Sequence, residues 1–198
     1  MRQAGQASWL MSIDEPRNLA MGLFIRDVAG LTSTHTWLPP AAPTVPPAGG
    51  GSPAASRQWD EWWDQALAAG TSAAWPEAAA FWWGPPDFDS LDAAPELQVL
   101  VRRHFLVAVR WSEARKREHV ALVMDSDGGM DYSTRLVANL ERAAGRRARP
   151  FNLRVTEIPV AGSELWQLSP EHVVVTAGLL GEPEEYRRRI TPVLQALL

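Results

Sequence analysis

Residues 38 to 56, LPPAAPTVPPAGGGSPAAS, constrain this chain more than any other stretch. Proline fixes φ and donates no backbone hydrogen bond, and glycine loses the most backbone entropy on ordering. Only Leu38 and Val45 in this stretch are large enough to anchor a core. Such a composition cannot bury enough apolar surface to offset its ordering entropy, so it reads as a linker. It divides the chain into an N-terminal arm (1–37), a Pro/Gly-rich linker (38–56) and a single α/β domain (57–198). Removing residues 1–56 is then expected to leave a folded body.

The arm carries one patterned segment, EPRNLAMGLFIRDVAGL at 15–31. Pro16 suits a first helical turn and Gly30 an exit. Leu19, Leu23, Val28 and Leu31, with Phe24 and Ile25 beside them, give an apolar stripe. A strand over Ala20–Ile25 is the competing pattern.

The body opens with RQWDEWWDQALAAG at 57–70, where Trp59, Trp62, Trp63 and Leu67 share one helical face. Ser56 is placed to cap this helix, and Asp60 and Glu61 lie near its start. WPEAAAFWWG reads as a second short helix, followed by a loop. Residues 95–117 hold the longest helical signal, with Leu97, Leu100, Val101, His104, Phe105, Ala108 and Trp111 at 3,4 spacing. Val99, Val101, Val107 and Val109 argue against a helix there, because β-branched side chains favour strands.

HVALVMD at 119–125 reads as a short apolar strand, DSDGG as a turn, and DYSTRLVANLERAAG as a helix stopped by Gly145. FNLRVTEIPV, LWQL and EHVVVTAGLL are strand patterns, the last β-branched enough to be central. Pro159 limits its own strand to an edge or a terminus. EPEEYRRRITPVLQALL is a closing helix with Pro192 inside it. The expected fold is an α/β (α+β) sandwich: a small mixed sheet of about four strands packed by four to five helices, with the arm appended.

Net charge is −4, which predicts no general attraction to nucleic acid. There are no cysteines, so disulfides and thiolate chemistry are excluded. No apolar run approaches the ~20 residues of a membrane span. The first residues place Asp14 and Glu15 where a signal peptide needs its apolar core, so the expected location is cytoplasmic.

Three groups of residues are candidates for function. VMDSDGGM resembles the first motif of haloacid-dehalogenase-type phosphatases, an apolar strand followed by Asp-x-Asp-Gly. That resemblance implies Asp125 as nucleophile and Asp127 as acid/base, with Mg²⁺ between them. The same residues resemble the metal-binding start of von Willebrand A domains, which carry serine where Asp127 stands. Only about seventy residues follow, no lysine among them, so the preferred reading is a turn in which Asp125, Asp127 and Asp131 cap a helix. No metal and no other cofactor is then expected.

His35, His104, His119 and His172 are scattered without a ligand pattern, and His104 reads as a core histidine. Arg146, Arg147, Arg149 and Arg187–Arg189 form two basic clusters that read as solvated surface. The third group is aromatic. Trp59, Trp62, Trp63, Trp75, Trp82 and Trp83 fall within 25 residues, more than a small core easily covers, and tryptophan is enriched at binding hot spots. The leading expectation is a non-catalytic accessory or adaptor protein. It would bind a protein partner, or another copy of itself, through Trp59, Trp62, Trp63, Trp82 and Trp83 together with Leu19, Leu23 and Phe24 of the arm. A Mg²⁺-dependent phosphoryl-transfer or hydrolytic enzyme on Asp125 and Asp127 is the alternative. An aromatic-ligand or carbohydrate site would instead show rings lining an open cleft.

Overall fold

The computed structural model describes residues 9–69, 83, 88–125 and 129–198, and of residues 122–125 and 129–132 the backbone. The chain divides into two compact units. A sheet unit comprises Met1–Asp14, Glu118–Ile158 and Gly162–Leu198, and a helical unit comprises Glu15–Arg117 with Pro159–Ala161.

The sheet unit holds β1 (Leu10–Asp14), β2 (Asn152–Ile158), β3 (Leu165–Ser169) and β4 (His172–Thr176) in the order β1-β2-β4-β3. β1 and β4 flank β2 in parallel, and β3 returns antiparallel to β4. Among the described residues this is a four-stranded mixed sheet with six helices, a small α/β fold. β4 is buried at all five positions, as a β-branched central strand requires. Leu153 and Val155 of β2 and Val173 and Val175 of β4 form one face of the sheet. They pack with Leu136 and Val137 of one helix and with Tyr186, Ile190, Val193 and Leu194 of another.

The fourth strand is not the expected one. Residues 119–125 are helical, the end of a 31-residue helix running Pro95–Asp125. No glycine or proline interrupts residues 96–125, and Ala114 to Glu118 are good helix formers, so the short apolar run simply continues the helix. The strand that completes the sheet is Leu10–Asp14, from the arm, which pairs with β2 from Leu10↔Asn152 to Asp14↔Thr156. Trp9 stacks on Phe151 at 5.8 Å beside it.

The helical unit is built from α1 (Arg17–Ala29), α2 (Pro53–Ala69) and the part of α3 (Pro95–Asp125) up to Arg117. α1 ends as the pattern predicts, at Gly30 with φ +67°. α2 begins four residues before the expected start, with Pro53 at its first position.

The Pro/Gly-rich segment between α1 and α2 lies along the helical unit. Leu38, Ala41 and Val45 are buried. Ala48 and Gly49 donate their N–H groups to Val28 O, and Gly51 donates to Ala29 O. Arg26 Nη2 donates to Pro39 O at 2.7 Å, and Asp27 Oδ2 accepts from Ala41 N at 2.6 Å. Composition misses these bonds because they use backbone groups and the unfilled carbonyls at a helix end.

The remaining helices, α4 (Gly129–Ala144), α5 (Ala177–Leu180) and α6 (Pro183–Leu197), belong to the sheet unit. α5 takes residues expected to extend the last strand, because the Thr176 hydroxyl caps it by accepting from Leu179 N. α4 stops at Gly145 with φ +65°, and Pro192 lies inside α6, both as the sequence implies.

Candidate partner-binding surface

The tryptophan face of α2 is interior. Trp59 and Trp63 are fully buried and stack at 5.1 Å between ring centroids. Trp62 is buried against Trp63 at 6.3 Å and against Trp83 at 4.5 Å. Trp59 Nε1 donates to Gly22 O of α1 at 2.8 Å. Gly22 leaves room for the Trp62 ring, because a Cβ there would stand 2.4 Å from Trp62 Cζ3. Leu19, Leu23, Phe24 and Ile25 of α1 are likewise buried, and Phe24 meets Trp111 at 5.8 Å. Of the eight aromatic and apolar residues expected to form a docking surface, seven are therefore buried core, and Trp82 lies outside the described residues, as does Trp75. The described rings do not line an open cleft.

The Asp125/Asp127 motif loses its context. Its phosphatase resemblance needs a strand before the first Asp, and Asp125 is instead the last residue of a helix. The Asp125 side chain, and the whole of Asp127, lie outside the described residues. No group of three His, Asp or Glu side chains among the described residues is arranged to hold a metal ion.

The basic cluster on α6 is occupied. Glu185 accepts from Arg188 Nε at 2.8 Å and Arg189 Nε at 2.6 Å, and Glu164 accepts from Arg189 Nη1 at 2.8 Å. Arg187 pairs with Glu184. These hydrogen bonds from Arg188 and Arg189 hold the Glu185 carboxyl down at about 2. In the other cluster, Arg146 Nη1 donates to Leu198 O.

The histidines serve the interior. His119 Nδ1 is hydrogen-bonded to Glu157, and both are buried in the sheet unit. His172 Nε2 meets Thr156 Oγ1 at 2.9 Å across β2 and β4, and burial, with Arg154 nearby, pushes its pKa down to about 4. Half-buried His104 is also held below its usual range, first by burial and then by Arg103. In the helical unit, His35 sits 3.4 Å from Asp64. Its neighbour Asp60 accepts from Ser33 Oγ at 2.6 Å and from Thr34 N and Oγ1 at 3.0 and 2.8 Å. Burial pushes Asp60 up, but those bonds and His35 outweigh it and hold the carboxyl low. The arrangement ties a hydroxyl-rich loop to α2 and leaves Ser33 donating to a carboxylate.

One surface stands apart. Leu97, Leu100, Val101 and Ala108 of α3 are buried, as the 3,4 spacing predicts. The opposite face presents Val99, Leu106 and Val107 at 61%, 69% and 54% exposure. Glu96, Arg102, Arg103, Arg110 and Glu113 are exposed on the same face. At 100° per residue these positions fall within one arc, and Val99 to Arg110 spans roughly 16 Å of helix. Glu113 is paired with Arg17 at 3.0 Å, and the Arg102 guanidinium lies 5.9 Å from the Phe88 ring centroid. Arg103 and Arg110 make no ion pair among the described residues. Single exposed aliphatic residues are ordinary on a protein surface, whereas three on one helical stripe form a patch. The sequence holds the signal: Val99, Leu106 and Val107 are apolar residues that fall off the 3,4 stripe of residues 95–117.

Compared with known proteins, the chain matches no family model, no curated protein and no solved structure. No described helix is long and apolar enough to cross a membrane.

Proposed function

We propose that this chain is an accessory protein that acts by binding a protein partner, and that the partner seats on the outer face of α3. The carrying observation is the exposure of Val99, Leu106 and Val107 on one stripe between arginines. An apolar centre with a charged rim is the common anatomy of a protein interface. Under this reading the tryptophans work from inside: they fix α2 beneath α1, and they are not themselves the contact surface.

Affinity capture from the native cell tests this with the intact chain and a Val99→Glu/Leu106→Glu variant. All three exposed aliphatic side chains tolerate polar replacement on a helix surface, so the variant keeps the fold, which circular dichroism verifies. A partner retained by the intact chain and lost by the variant supports the reading. A partner retained equally by both, or by neither, contradicts it.

A further inference from the structure

Resting on the reading that the α3 face seats a protein, we propose that the segment seated there is an acidic amphipathic helix. Leu106 lies at the centre of the patch, with Arg103 one turn before it and Arg110 one turn after. Both arginines are exposed and without an ion-pair partner among the described residues. Glu113, three residues beyond Arg110, is already engaged by Arg17, and the one other exposed acid of this face, Glu96, lies seven residues before Arg103. The patch is therefore positive although the whole chain carries −4. A partner helix with apolar residues one and two turns apart covers Val99, Leu106 and Val107. Its acidic residues, a turn to either side, meet Arg103 and Arg110. Charge-assisted bonds to guanidinium are the strong kind, and they set the register of the pair.

The same charges disfavour two other occupants. A second copy of the chain, paired antiparallel about Leu106 and Val107, sets Arg110 of one copy against Arg103 of the other, and like charges opposed at close range are repulsive. An anionic membrane favours a face of Lys or Arg without acids, with Trp, Phe or Leu anchors. This face has no Trp or Phe, and it carries Glu96 and Glu113 beside its arginines.

The test uses the full chain and two fluorescent, helix-stabilised peptides of about 20 residues, long enough to be helical with stapling. Both carry the same Leu positions; one is flanked by Glu and the other by Lys. Anisotropy titration is expected to show binding of the Glu peptide and not of the Lys peptide. Leu106→Glu is expected to abolish binding. Arg103→Glu/Arg110→Glu is expected to weaken the Glu peptide about tenfold or more and to let the Lys peptide bind, with added salt weakening each complex. Equal binding of both peptides, unchanged by the arginine substitutions, overturns the acidic preference while leaving the docking face in place. Binding of neither peptide overturns the acidic helix as occupant. Co-sedimentation with phosphatidylserine vesicles, lost in the arginine variant and unaccompanied by Glu-peptide binding, overturns it in favour of lipid. The capture experiment decides the docking reading separately.

Discussion

Two faces of the helical unit invert the usual association between residue type and location. The α2 face carries Trp59, Trp62 and Trp63, the residue type richest at binding hot spots, and all three are buried. The outer face of α3 carries aliphatic and charged side chains with no tryptophan among them, and it is the exposed one. The difference lies in what each helix has opposite it. Gly22 lets α1 approach until the Trp62 ring fills the space a side chain would take. α3 buries one stripe, Leu97 to Ala108, and leaves Val99, Leu106 and Val107 outside it exposed. Helical phase and the neighbour's side-chain size decide burial, and aromatic content alone does not.

This comparison can be broken in several places, starting with the largest effect. A chain beginning at Arg57 lacks β1, α1 and the first residues of α2, and with them an edge of the sheet and the packing partner of Trp59 and Trp62. It is expected not to fold, against the sequence-based expectation of a folded body, and a flat thermal-unfolding trace with lost near-UV circular dichroism would show it. Trp59→Ala is expected to cost about 3–5 kcal/mol by urea unfolding, from the cavity and the lost indole bond to Gly22. A cost below 1 kcal/mol, of the order of a surface change, would mean that this face is not core.

Acid stability extends the contrast between buried and exposed groups to the sheet unit. His172 is neutral when folded, with its pKa near 4, whereas the unfolded chain takes up the proton near 6.5. The unfolded state binds more protons between those values, so this stability is fully present above pH ~6.5 and is lost as pH falls toward 4. It amounts to about 3 kcal/mol at most. His172→Leu should flatten that part of the pH–stability curve, and an unchanged slope would count against a buried neutral imidazole.

Smaller effects sharpen the picture. Gly22→Ala is expected to cost about 1–3 kcal/mol, because its methyl group meets a ring that is itself packed against Trp63 and Trp83. The smallest effect belongs to α3: Leu106→Ala should change stability by no more than about 0.5 kcal/mol while weakening partner binding.

The sequence makes most elements legible through local signals. Gly30 and Gly145 mark helix ends at positive φ, the 3,4 spacing from Leu97 marks the buried side of α3, and the β-branched run Val173–Val175 marks a central strand. Two stretches resist such reading, for different physical reasons. LMSID is a strand only because β2, some 140 residues later, offers it a parallel edge, and nothing local records that pairing. HVALVMD is too short for its apolar run to separate strand from helix, and the uninterrupted residues before it settle the matter. The candidate site divides similarly. Spacing shows that the tryptophans share a face, but their burial depends on α1 and on the close approach at Gly22. The α3 patch is legible as residues left over from a stripe, although β-branched Val99 and Val107 also argue against the helix that displays them.

The most direct measurement places a photo-crosslinking amino acid at position 106 and, as a control, at exposed Glu184 on α6, in the full chain expressed in its native cell. The account predicts a discrete protein adduct from position 106, absent from position 184 and abolished by adding Val99→Glu and Val107→Glu. No adduct at 106, or the same adducts from both positions, would contradict it.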